Sequence, residues 1–190
     1  MDAFLSSTLA VSLAEIGDKT QLLALFLAAR YGRPFIISAG ILLATLLNHG
    51  LSAWLGTWLA ELIPAHWIPW IISASFVAIA LWLLIPDKAD EGDSRFTQYG
   101  PFIATLVLFF LAEIGDKTQI ATVILAAKFN ESLWMTTAVI AGTTLGMLLA
   151  NMPVIFAGKW LLDKMPMQLA HRIACGLFLI LALVTLVAAP

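Results

Sequence analysis

The chain has 190 residues, 61% of them hydrophobic and 12% charged, with a formal net charge of -2. That is too apolar for an ordinary soluble domain, and a small acidic balance without a basic tail argues against nucleic acid as a partner. Cys175 is the one cysteine, which excludes a disulfide framework within the chain and a thiolate metal cluster.

A transmembrane helix needs roughly 20 mostly apolar residues. Six segments meet that requirement: 3–29, 34–60, 66–86, 101–127, 133–158 and 169–189. The expected fold class is therefore all-α, a polytopic membrane protein with six transmembrane helices and short loops. The first span carries "LAEIGDKTQ" at its centre, over Leu13–Gln21. The second carries Asn48 and His49, with Thr45 and Ser52 nearby. After the third comes the polar stretch "PDKADEGDSRFTQYG", read as a solvated linker over 87–100. The fourth span repeats "LAEIGDKTQ" letter for letter over Leu111–Gln119. The fifth carries Asn151, and Cys175 lies in the sixth as a packing residue.

The repetition extends beyond the motif. At an offset of 98, Ala28 and Ala29 match Ala126 and Ala127. At an offset of 102, Ala39 and Gly40 match Ala141 and Gly142, and His49 matches Asn151. The chain thus reads as two three-helix repeats, 1–86 and 101–190. Three is odd, so the second repeat must enter the membrane inverted. One side collects Arg30, Arg33, Lys88, Arg95, Lys159, Lys164 and Arg172, the other only Lys128. By the positive-inside rule the richer side is cytoplasmic and both termini lie outside. Tryptophans near span ends, among them Trp58, Trp67, Trp70, Trp134 and Trp160, read as interfacial anchors.

Inversion brings both motifs to the same depth. On insertion scales a charge at the bilayer centre costs about 2.5–3.5 kcal/mol, so the six charges must face each other or a wet cavity. In a continuous helix at about 100° per residue, Gln21, Asp18, Glu15 and Lys19 form one stripe. Lys19 then lies within i,i+4 reach of Glu15, Thr20 falls partly off the stripe, and Gly17 lies nearly opposite, where it permits close helix contact or local unwinding. Glu113, Asp116, Lys117 and Gln119, with Thr118 and Gly115, repeat the pattern. Two facing stripes offer four carboxylates and two amide oxygens, from Glu15, Asp18, Gln21, Glu113, Asp116 and Gln119. Six hard oxygens suit Mn²⁺ or Ca²⁺, while the lysines would partly neutralise an empty site. Asn48, His49 and Asn151 are candidates to complete the site, with an interhelical hydrogen bond as the alternative. The hydroxyls of Ser12, Thr45 and Ser52 are expected to bond back to helix carbonyls.

Glu-x-Gly-Asp-Lys-Thr, twice, in six spans resembles the Golgi manganese/calcium transporter family, in particular its bacterial manganese exporters. The resemblance implies a bacterial inner-membrane exporter of Mn²⁺ or Ca²⁺ working by exchange with H⁺ or Na⁺, with no cofactor beyond the transported ion. Carried over by position, its metal-site residues would be Glu15, Gly17, Asp18, Lys19 and Thr20, and Glu113, Gly115, Asp116, Lys117 and Thr118. A second reading is an exporter of a small organic solute, with Lys19 and Lys117 binding a carboxylate. A third is a passive divalent cation channel. An intramembrane enzyme is not expected, because no nucleophile or phosphate loop accompanies the carboxylates. Either a monomer or a homodimer fits the sequence.

Overall fold

The computed structural model describes residues 2–85, 98–158 and 167–187. All secondary structure among them is helical: α1 (Ala3–Glu15), α2 (Lys19–Tyr31), α3 (Pro34–Leu62), α4 (Ile68–Trp82), α5 (Gly100–Glu113), α6 (Lys117–Lys128), α7 (Leu133–Ala157) and α8 (Met167–Val187). Most of the 87–100 linker lies outside the described residues, as do Lys88, Arg95, Lys159, Trp160 and Lys164.

Local chemistry sets the helix ends. Asp2 caps α1 by accepting from Phe4 N–H at 2.9 Å, and Ser132 caps α7. Pro34 sits at the first position of α3, where its missing N–H costs nothing. Helices α3 and α7 are long and apolar enough to cross a membrane. The expected first and fourth spans are each two collinear-in-sequence segments, α1 with α2 and α5 with α6, divided at the motif.

Helix α1 packs chiefly on α7, α5 on α3, α6 on α3, and α4 on α8, while α3 and α7 also meet. A Cβ on Gly56 would lie only 2.1 Å from the Val123 carbonyl oxygen, and two further glycines permit close approaches at matching positions of the two halves. A Cβ on Gly40 would lie 2.8 Å from Thr105 Cβ and 3.1 Å from the Phe102 carbonyl oxygen. A Cβ on Gly142 would lie 2.5 Å from the Phe4 carbonyl oxygen and 3.1 Å from Ser7 Cβ. Gly40 and Gly142 are 102 residues apart, and Phe4 and Ser7 are 98 residues from Phe102 and Thr105. Matching positions thus make matching contacts, each across to the other half of the chain.

One apolar core gathers around Phe76 and Phe178, another around Leu27, Ile37, Phe109 and Met147. Cys175 packs against the first. The outer surface is apolar too, with Trp54, Trp67, Trp70 and Trp134 each more than half exposed. An exterior carrying this many exposed large apolar side chains is a surface for lipid.

Candidate metal centre

The candidate site is built on the two helix breaks. Helix α1 ends at Glu15, Ile16 turns extended, and Gly17 takes φ 85°. Asp18 then caps α2, its Oδ2 accepting from Thr20 N–H at 3.4 Å. In the second motif, Gly115 takes φ 77° and Asp116 caps α6, accepting from Lys117 N–H at 2.7 Å. Glycine is needed because a left-handed φ strains any side chain carrying a Cβ. Aspartate is needed because the first amides of the new helix lack carbonyl partners.

The breaks correct the continuous-helix picture. A 100° step per residue does not carry across Ile16–Gly17, so the expected single stripe does not exist. Thr20, expected off the stripe, donates its hydroxyl to Glu15 Oε2 at 2.7 Å, and Thr118 does the same to Glu113 Oε2 at 2.8 Å. Lys19 does not pair with Glu15. It approaches Asp116 at 3.9 Å, and Lys117 meets Asp18 at 3.1 Å.

The glutamines bind the breaks to the helices around them. Gln21 Oε1 accepts from Gly17 N–H at 2.9 Å, and Gln119 Oε1 accepts from Gly115 N–H at 2.6 Å. Their nitrogens donate to the Ala150 carbonyl oxygen and to Asn48 Oδ1 respectively. Ala150 and Asn48 are themselves 102 residues apart. Each glutamine is thus a brace from its own helix break to α7 or α3, with its Oε1 already accepting one hydrogen bond.

Glu15, Glu113 and Asp116 bring one carboxylate oxygen each within 4.8 Å of one another, and all three are buried. One oxygen of each glutamate, Oε1, is buried without a hydrogen-bond donor. Buried carboxylate oxygens are rarely left this way, and a hard divalent cation is the group that such oxygens accept. Asp18, fully buried, is held by Lys117 rather than gathered with the other three.

Of the weaker candidates, Asn48 joins the motif network through Gln119, and Ser52 Oγ donates to its carbonyl oxygen at 2.7 Å. His49 is buried with neither ring nitrogen hydrogen-bonded. Asn151 donates back to the Met147 carbonyl oxygen at 3.1 Å, which leaves its own Oδ1 without a partner. Ser12 bonds back to Leu9 as expected, at 3.3 Å. Thr45 does not: its hydroxyl is buried and unpartnered. The contact that sequence reasoning missed outright is the Ala150 carbonyl oxygen, which no side-chain signal could reveal.

Comparison with known proteins agrees with this chemistry. The family model described as divalent cation/proton antiporter GDT1 matches residues 3–91 and 101–190, so each copy of the motif falls inside one match. A Vibrio cholerae protein named "Putative manganese exporter" is 52% identical over 97% of this chain and 90% of its own length. A GDT1-like protein of Synechocystis is 26% identical over 97% of both chains. GDT1-like protein 4 of Oryza sativa subsp. indica is 28% identical over 94% of this chain and 70% of its own. No solved structure matches. The chain belongs to the GDT1 family of divalent cation/proton antiporters, a family of membrane transporters.

Proposed function

We propose that the protein exports Mn²⁺, and Ca²⁺ as a second cargo, from the bacterial cytoplasm across the inner membrane in exchange for protons. The observation that carries this reading is the gathering of Glu15, Glu113 and Asp116 within 4.8 Å at two facing helix breaks. The proposed frame is six spans arranged as two inverted three-helix repeats, 1–86 and 101–190. The matching contacts of Gly40 and Gly142 and the matching braces of Gln21 and Gln119 support it. Broken helices at midplane depth, contributed by each repeat, suit an alternating-access carrier. Arg30 and Arg33 after the first span, against Lys128 after the fourth, support both termini outside and the linker inside.

In this mechanism Glu15, Glu113 and Asp116 replace part of the water shell of the cation. Thr20 and Thr118 orient the two glutamates, each occupying one carboxylate oxygen and leaving the other for metal. Gln21 and Gln119 keep the breaks open by holding the Gly17 and Gly115 amides. One repeat then rocks against the other. On the outside, protons compete with the metal for the same oxygens and release it.

The test is Mn²⁺ flux into proteoliposomes under an imposed pH gradient, for wild type and for Glu15→Gln with Glu113→Gln. Flux that follows the gradient and disappears in the double variant is the expected result. Flux that persists in the variant would reduce the motif to a packing clamp. Flux driven by a Na⁺ gradient would replace the proton as counter-ion, and flux indifferent to both gradients would favour a channel. An organic-solute exporter would show solute flux with no Mn²⁺ flux.

A further inference from the structure

The ion pairs at the centre cross from one motif to the other. Each lysine follows an aspartate in sequence, yet Lys117 pairs with Asp18 and Lys19 with Asp116. Lys117 and Asp18 are both fully buried, and the Lys19 side chain is 19% exposed. Neither Glu15 nor Glu113 makes an ion pair among the described residues. Each accepts instead from a neutral threonine hydroxyl.

We infer that the two lysines set the valence of the site: four carboxylates against two ammonium groups leave two negative charges, so the carrier holding one divalent cation moves electrically neutral. The inference rests on the metal-transport reading above and goes beyond it, because that reading says nothing of charge movement. A net charge crossing the membrane interior is opposed by desolvation and driven or resisted by the membrane potential. A monovalent cargo would leave the loaded site negative and a trivalent cargo would leave it positive. His49, buried on α3 beside Asn48, makes no ion pair and leaves the balance unchanged as a neutral imidazole. Lys128 and Arg30 lie at the far ends of α6 and α2 and do not enter it.

The experiment uses the full chain in proteoliposomes with equal Mn²⁺ and equal pH on both sides. Tracer Mn²⁺ exchange then reports the loaded carrier alone. A potassium diffusion potential of either sign is imposed with valinomycin. Wild-type exchange is expected to change by less than about twofold, because a neutral carrier does not sense the field. Lys117→Gln leaves the loaded carrier with one net charge, and its exchange should change on the order of tenfold with the potential. Lys117→Gln combined with Asp18→Asn restores the balance and should restore indifference to the potential, whatever its absolute rate. Should Lys117→Gln alone fail to fold, the wild type and the balanced double variant still decide. Wild-type exchange that scales with the potential overturns the inference and leaves the transporter reading standing. A voltage-sensitive balanced variant overturns it equally. Wild-type protein that exchanges no Mn²⁺ overturns the transporter reading and the inference together.

Discussion

Leu13–Gln21 and Leu111–Gln119 carry the same nine residues and the same break between helices, in different surroundings. Leu111 and Ile114 are 51% and 56% exposed, whereas Leu13 and Ile16 are half-buried. Lys117 is fully buried against Asp18 at 3.1 Å, while Lys19 keeps part of its surface and stands 3.9 Å from Asp116. Gln119 is braced by a side chain, Asn48, and Gln21 by a backbone carbonyl, that of Ala150. Helix α4 packs on α6, but α8 packs on α1 rather than in the corresponding place beside α2. Nine residues therefore dictate how the backbone breaks, and the helices around them dictate how tightly each half of the site is closed.

The largest expected asymmetry lies in the lysines. Lys117→Gln removes the buried ion pair to Asp18 and should destabilise the protein by about 3–5 kcal/mol. Lys19→Gln loosens a longer, partly exposed pair and should cost about 1 kcal/mol or less. Thermal unfolding in detergent measures both, and equal losses would mean that the two halves are closed alike. The next contrast is steric. Gly142→Ala drives a Cβ to 2.5 Å from a backbone oxygen, which cannot yield locally, and should cost about 1–3 kcal/mol. Gly40→Ala meets a side chain first, at 2.8 Å, and should cost less in the same assay.

A smaller effect separates the two glutamine braces. Asn48→Ala removes the acceptor of Gln119 and should weaken Mn²⁺ affinity on the order of tenfold, as loss of a ligand-supporting contact does. Ala150→Ser keeps the backbone acceptor of Gln21 and should leave affinity close to wild type. Mn²⁺ titration of purified protein distinguishes them, and an unaffected Asn48→Ala would detach Asn48 from the site. The smallest contrast is between the threonines. Thr20→Val and Thr118→Val remove equivalent hydrogen bonds of 2.7 and 2.8 Å, so their losses should agree within about twofold. A clear difference in Mn²⁺ flux between them would assign the two glutamates unequal shares of the metal.

The sequence by itself determined the helical class, the motif duplication and the family. Apolar runs, repeated letters and the cost of an intramembrane charge are all readable along one dimension. The helix breaks were half legible. Gly-Asp is a stop signal followed by a cap, but both motifs lie in apolar runs long enough to read as one helix. Where the run is read as one continuous helix, every angle computed across the break fails, which is why Thr20 and Thr118 fall partly off the stripe and Gln21 and Gln119 fall on it. Only the tertiary structure decided that each lysine pairs with the aspartate of the other motif, and that Asn48 and the Ala150 carbonyl brace the glutamines. Those partners are 71 to 129 residues away for the glutamines, and nothing local distinguishes them. Packing of α3 and α7 against the breaks brings them within reach, and such packing depends on shape summed over whole helices rather than on any short stretch of letters.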